Sequence, residues 1–427
     1  MLPANYKQRF ELNDEVHARP PEALTPPLRL TFVAMFTPWP RRESDLEPVR
    51  RLAETHGIEP PTPGASHYSR DFGAFRLKWE RHTEFTRYKF IVQGAERTPF
   101  AEPAVERMPG DWLASLPGEV MVAAHAVLLP QPEQPPEIEA LSGELFNGNA
   151  LVGSRVAGGH GMAFTDFRIH GDGFSRFLVY SQRMTPRQSG RIIQRLLEID
   201  TYRMMALLAL PVARALTPFL SQSEQELAQI IEGMTTASER DQPALLERLI
   251  KLEAAIENRH STNDYRFSAA AAYYELVQRR IEELREERIQ GLQTFQEFME
   301  RRLAPAMNTC RAASVRQDLL SQRVARATQL LSTQIDVTRS EQNQQLLESM
   351  NRRAKLQLRL QQTVEGLSVA AITYYIVGLV GYGAKGLSAL GLKINADIAM
   401  ALSIPAVALF VALGVRKVRK IVTTEKG

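Results

Sequence analysis

The chain has 427 residues, a formal charge of +4 and a single cysteine, Cys310. One cysteine excludes an intramolecular disulfide and any cysteine-based metal cluster, and so small a positive excess over this length gives no reason to propose nucleic-acid binding. A mean hydropathy of −0.23 averages a polar body with a very apolar tail.

Met1 to Phe10, with Asn5, Lys7, Gln8 and Arg9, has no apolar core to be read as a signal peptide. From Leu30 to about Gln182 the chain reads as mixed α/β. Strands are expected at Leu30 to Thr37, Phe72 to Trp79, Phe85 to Val92, Glu119 to Leu129, Ala150 to Val156, Met162 to His170 and Phe174 to Tyr180, all rich in aromatic and β-branched residues. Gly158-Gly159-His160-Gly161 and Gly171-Asp172-Gly173 supply the positive φ of tight hairpins, which makes the last three strands an antiparallel meander. From Arg187 onward spacings of three and four replace alternation. Helices are expected at Pro186 to Leu210, Gln222 to Ile231, Gln242 to Asn258, Ser268 to Leu303 and Asn308 to Val364. In the last of these, Leu320, Val324, Ala327, Leu331, Ile335, Thr338, Leu346, Met350, Ala354 and Leu358 form a seam, with a polar gap around Gln342 to Gln345. A continuous helix here would be a stalk of roughly 80 Å, with its seam packed on Ser268 to Leu303 or on another subunit.

Gly366 to Ala384 and Ile398 to Val415 are free of charge and long enough to cross most of a hydrocarbon core of roughly 30 Å. The segment between them, Lys385 to Asp397, carries two lysines and an aspartate and cannot lie in lipid. Arg352, Arg353, Lys355 and Arg359 precede the first span, and Arg416, Lys417, Arg419 and Lys420 follow the second. The positive-inside bias therefore keeps both termini in the cytoplasm and turns the connecting loop outward. The last four residues can also meet anionic lipid head groups. The expected order is a cytoplasmic α/β domain over 1–185, a long-helix region over 186–364, a transmembrane hairpin over 365–416 and a basic tail over 417–427. As a fold class this is α+β plus membrane, placed in a bacterial inner membrane.

Candidate chemistry is sparse. Two polar clusters, Leu12 to Pro21 and Trp79 to Phe85, set a histidine among carboxylates and an arginine, the ingredients of an acid/base site or an anion clamp. His17, Arg19, His82 and Glu84 are the residues that would carry it, and structural salt bridges are the competing account. No two histidines stand three or four apart, so no zinc motif exists, and Gly153 to Gly161 lacks the lysine and hydroxyl of a phosphate loop. There is no G-x-S-x-G either, and Cys310 reads as a buried inert thiol. Glu198 and Tyr202, four apart on a helix, form an arrangement that more often braces a domain than catalyses. The chain is thus expected to be no enzyme and to need no cofactor or metal.

The stretches Leu12 to Leu24, Phe75 to Phe90 and Val364 to Val380 resemble those of a bacterial domain-of-unknown-function family of predicted membrane-anchored proteins. That resemblance implies membrane attachment and supplies no activity. The order of elements also resembles that of CorA-type magnesium transporters, whose long cytoplasmic helix continues into the first of two C-terminal spans. That family ends its first span with Tyr-Gly-Met-Asn, whereas the matching place here reads Tyr382-Gly383-Ala384-Lys385. A ring of Lys385 side chains would repel cations at a pore mouth, where selectivity calls for carbonyls or carboxylates. Three readings follow: a membrane-anchored scaffold or sensor, a divergent oligomeric ion channel, and, with least support, a tethered enzyme.

Overall fold

The computed structural model describes residues 3–10, 12–13, 21–37, 41–95, 98–134, 137–236, 238–390 and 395–424. The chain divides into two compact units, one formed by Met1–Thr236 with Glu247–Thr328 and the other by Ala237–Leu246 with Gln329–Gly427. The fold is α+β, with an N-terminal sheet and a long helical region after it.

The first unit is built on one nine-stranded sheet: β1 (Leu28–Phe36), β2 (His67–Asp71), β3 (Arg76–Arg81), β4 (Phe85–Gln93), β5 (Glu119–Pro130), β6 (Val152–Val156), β7 (Gly161–Thr165), β8 (Ser175–Ser181) and β9 (Glu287–Arg288), in spatial order β2-β3-β4-β1-β5-β8-β7-β6-β9. Every pairing is antiparallel except β5 with β8. The expected meander is present as β6-β7-β8. The strand expected to run to His170 stops at Thr165, because Asp166 folds back and accepts the Arg168 amide through its side chain. Phe72 lies in the β2–β3 turn rather than in a strand, where Gly73 takes a φ of 80° and donates its amide to Asp71 Oδ1 at 2.8 Å.

Side chains alternate across a sheet, and here both faces are covered. Val33, Met35, Leu77, Trp79, Tyr88 and Phe90 form one core with Val49 and Leu52 of helix α1 (Glu47–Thr55). A second core under helix α2 (Ile138–Leu145) gathers Leu141, Phe146, Phe164 and Leu178. The opposite face lies against α3 (Pro186–Leu207), which opens on a capping box between Thr185 and Gln188 and contacts β5 and β8. Gly190 lets this helix seat, since a Cβ there would stand 1.7 Å from the Glu22 carbonyl oxygen.

The helical boundaries differ from the expected ones. After α3 come α4 (Ala209–Thr236) and α5 (Gln242–Leu284), a single helix where two were expected around a break at 258–268. The segment expected as helix to Leu303 ends at Leu284; β9 and the short α6 (Phe295–Arg302) follow. Gly291, with a φ of 90°, serves the turn before α6. Helix α7 (Ala304–Ala389) then runs for 86 residues, and α8 (Ala396–Thr424) closes the chain. Tyr382, Gly383 and Ala384 fall inside α7 as expected of the first span, Lys385, expected to open the loop, is helical as well, and residues 391–394 of the expected outward loop lie outside the described residues.

The stalk seam splits in two. Leu320, Val324, Leu331 and Ile335 are buried, whereas Leu346 and Met350 are 60% and 64% exposed. Polar bonds identify the neighbours of the upper part: Arg316 pairs with Glu224 of α4, Asp318 meets His260 of α5 at 2.9 Å, and Thr328 donates to Glu253 of α5. The seam from Leu320 to Ala327 thus runs beside the earlier half of α5 and not beside Ser268 to Leu303. Leu331→Asp should lower stability by about 3–5 kcal/mol, the cost of a charge forced into an apolar contact, whereas the exposed Arg339→Asp should change little. Chemical denaturation of the two variants measures this, and equal midpoints would contradict a buried seam at Leu331.

Candidate functional site

Aromatic residues of β3 and β4 point to the α1 side, so the residues alternating with them point to the α3 side. These are Lys78 and Glu80 on β3 and Arg87 and Lys89 on β4, each buried, with Lys78 opposite Lys89 and Glu80 opposite Arg87. Glu80 holds Arg87 through Nε at 2.5 Å and Lys78 through Nζ at 3.2 Å. Arg87 extends away from the sheet to Glu198 of α3 at 3.3 Å. Glu198 in turn accepts from Gln194 at 2.8 Å and from Arg280 of α5 at 2.5 Å. Arg280 also reaches Glu283, which binds Arg195 of α3 at 3.0 Å. An ionic chain therefore runs from strand to strand to helix to helix.

The charges hold each other ionised. Burial pushes the Glu80 carboxyl up, but Arg87, Lys89 and Lys78 outweigh it and keep the group well below the usual carboxylate range. Burial likewise opposes ionisation of Glu198, and Arg87 and Arg280 overcome it. Lys89 is the misfit. It is 5% exposed, it makes no ion pair among the described residues, and burial followed by the repulsion of Arg87 draws its ammonium down to about 8.

Of the residues expected to carry chemistry, His17 and Arg19 lie outside the described residues. His82 and Glu84 meet in the β3–β4 turn, which the His82 amide closes on the Phe85 carbonyl at 2.8 Å. There the His82 ring stacks on Phe85 with centroids 4.5 Å apart, and the Glu84 carboxylate is paired with Arg266 of α5. Glu84 thus clasps the turn to a helix, as Glu198 does for the strands. Tyr202 stacks on Tyr273 of α5 at 5.8 Å beside the same clasp, and burial raises both phenols. Cys310 is buried and unbridged, and burial raises its thiol.

Two further histidines are buried: His170, which the sequence placed at the end of a strand, and His125, which the sequence reading did not single out. His170 Nε2 lies 2.9 Å from Asp166 Oδ2, Nδ1 lies 3.2 Å from the Asn147 amide nitrogen, and Asn149 donates to the same carboxylate oxygen of Asp166. Asn147 and Phe167 flank this cluster with φ of 54° and 52°. Through these bonds the group ties residues 147 and 149 to the loop from Asp166 to His170. His125 stacks on Phe174 at 4.0 Å and meets Thr31 Oγ1 at 3.0 Å, and burial lowers it to about 4. Among the described residues no cluster of His, Cys, Asp or Glu could hold a metal ion.

The arrangement is suited to bracing. Glu80 pairs with both Lys78 and Arg87, so Glu80→Gln should cost about 3–5 kcal/mol by removing a carboxylate from between buried cations. Lys89→Met should be neutral or stabilising, because an apolar isostere ends the desolvation and repulsion. The sign with pH follows from linkage: between about pH 8 and 10.5 the folded protein sheds the Lys89 proton while the unfolded chain keeps it. Stability therefore rises with pH across that window, and the rise should shrink in Lys89→Met. Urea titrations of the three proteins from neutral to alkaline pH check both points, and a Lys89→Met variant as unstable as Glu80→Gln would overturn the assignment.

Comparison with known proteins adds a family but no activity. No curated protein matches the chain, and no solved structure does. The chain belongs to the family described as "Protein of unknown function (DUF3422)", which is matched over residues 4–422.

Proposed function

We propose that this chain is a multi-pass protein of the bacterial cytoplasmic membrane, anchored by the α7–α8 hairpin, whose cytoplasmic α+β body serves as a scaffold or sensing surface. Exposure is the observation that carries the reading. Three helical stretches are long and apolar enough to cross a membrane, yet in Pro186–Thr236 33% of the most apolar window is buried, against 6% in Ala304–Ala389 and in Ala396–Lys417. The first stretch spends its apolar residues on the sheet, where Ile192, Ile193, Leu196 and Ile199 are buried. The other two leave large side chains uncovered, Leu402 at 72% and Phe410 at 78% among them. An apolar surface of that extent is unstable in water and stable in lipid.

Charge supports the orientation. Arg352, Arg353, Lys355 and Arg359 are exposed on α7 ahead of the span, and Arg416 and Lys417 stand near the other end of the hairpin. Translocating them would work against the positive-inside bias. The outward side is then the turn between α7 and α8, and the basic ends of the hairpin are placed to meet anionic lipid. A cysteine introduced as Ser388→Cys should react with an impermeant maleimide in intact cells. Labelling only after permeabilisation would reverse the topology, and release of the protein by alkaline carbonate would remove the anchor altogether.

A second reading, an oligomeric ion channel of CorA-like build, draws on α7 passing unbroken from the stalk into the first apolar segment. Lys385 tests it. Like charges ringed in a narrow mouth raise the entry barrier by several kcal/mol, each 1.4 kcal/mol being about tenfold in rate. Lys385→Asn should therefore raise cation flux in liposomes by well over tenfold, and unchanged flux with folded protein leaves the hairpin as an anchor.

A further inference from the structure

The brace between sheet and helices leaves Lys89 unexplained. On the sheet face that α3 covers, one row in register crosses four strands: Ser69 of β2, Lys78 of β3, Lys89 of β4 and Phe32 of β1. Two lysines thus stand directly opposite each other, with Cβ atoms about 4.5–5.5 Å apart, and like charges so placed repel. Both are 5% exposed, so bulk water and salt do little to screen them.

The carboxylates around this row are all engaged. Glu80 gives Oε2 to Arg87 and Oε1 to Lys78. Glu198, on α3, gives Oε1 to Arg87 and Gln194 and Oε2 to Arg280. Glu22, from the segment ahead of β1, gives Oε1 to the Ser69 hydroxyl and Oε2 to Arg76. On β1 the same face carries Leu30, Phe32 and Ala34, none of them charged. Among the described residues the Lys89 ammonium therefore has no carboxylate of its own.

We propose that a compact monovalent anion of halide size binds beside the Lys89 ammonium, in the layer between β3–β4 and α3. The charge count sets the valence: one ammonium lacks a counterion, and a divalent ion would replace a buried positive excess by a buried negative one. Burial sets the size, because the fully buried Phe32 closes the row on one side and α3 covers it. Lys78, on the opposite strand, is placed to share the ion, so that recognition consists of charge-assisted hydrogen bonds from ammonium groups.

The ion and the Lys89 proton are linked. Burial, followed by the repulsion of Arg87, draws this ammonium down to about 8, and Glu80, Lys78 and Glu198 act on it more weakly. An anion that binds the charged form raises the folded-state value back toward the 10.5 of a free lysine. Chloride should therefore stabilise the protein at neutral pH, lose that effect as pH rises and Lys89 sheds its proton, and flatten the alkaline rise in stability.

The test uses the full-length protein in detergent, with gluconate, too bulky for the site, exchanged for chloride at constant ionic strength. The urea midpoint should rise with chloride near neutral pH and stay level once Lys89 is deprotonated. Lys89→Met should abolish the chloride effect at both pH values, whereas Arg339→Met, which takes a cation from an exposed position, should keep it. Crystals grown in bromide give the direct readout, an anomalous peak within about 3.5 Å of Lys89 Nζ. A midpoint independent of chloride at neutral pH, a chloride effect that persists in Lys89→Met, or bromide bound only elsewhere overturns the proposal. Bromide at Lys89 without any effect of chloride on stability marks an adventitious ion only and overturns it as well. The bromide peak and the pH dependence are both read on the unmodified protein, so they decide the matter even where a variant does not fold.

Discussion

A buried carboxylate needs a cation, and in this protein that need fixes where the helices go. Glu80 sits on the sheet face that α3 covers, and Arg87, beside it, is long enough to serve Glu80 and still reach Glu198. Arg280 then binds the other oxygen of Glu198 and so ties α5 to α3. Shifting α3 by one turn would leave Arg87 and Arg280 without that carboxylate, at a cost exceeding that of an ordinary packing defect. Apolar contacts hold the layers together, whereas the ionic chain sets their register. A second clasp, Glu84 with Arg266, does the same for the β3–β4 turn and α5.

This account also explains which parts were legible in the sequence. The hairpins around His160 and Asp172 could be read because glycine at positive φ is a local requirement. The apolar C-terminal segments could be read because composition alone defines them. The ionic chain could not, because Leu77-Lys78-Trp79-Glu80 and Arg87-Tyr88-Lys89-Phe90 show the alternation of strands with one wet face. Charge on that face reads as solvent exposure until a helix some hundred residues away is known to lie over it. Glu198, four residues before Tyr202, offered the one visible hint, and its bracing role is the one the geometry displays. The short strands β2 and β9 were missed for a related reason: His67–Asp71 and Glu287–Arg288 are polar edge strands that pairing, not propensity, defines.

The helical region shows the converse error, in which periodicity was read correctly and its partner was not. Residues 242–284 form one helix although Asn258 to Thr262 is polar, because propensity is a weak signal beside packing: Ile256 and Phe267 on either side are both buried. Beyond Ile335 the pattern of apolar residues persists while burial ceases. A sequence pattern reports that a face wants a partner and is silent on whether that partner belongs to the same chain.

That distinction organises α7 as a whole. Its upper seam is closed by neighbours with opposite charges to offer, as in Arg316 with Glu224, and such pairs suit contacts between unlike surfaces. From Leu346 onward its large apolar side chains are exposed, Leu346 at 60% and Met350 at 64%. Ion pairs fix unlike surfaces against each other, buried in the sheet and half-buried at the start of α7, and past Ile335 the same helix carries its apolar residues without such a closure.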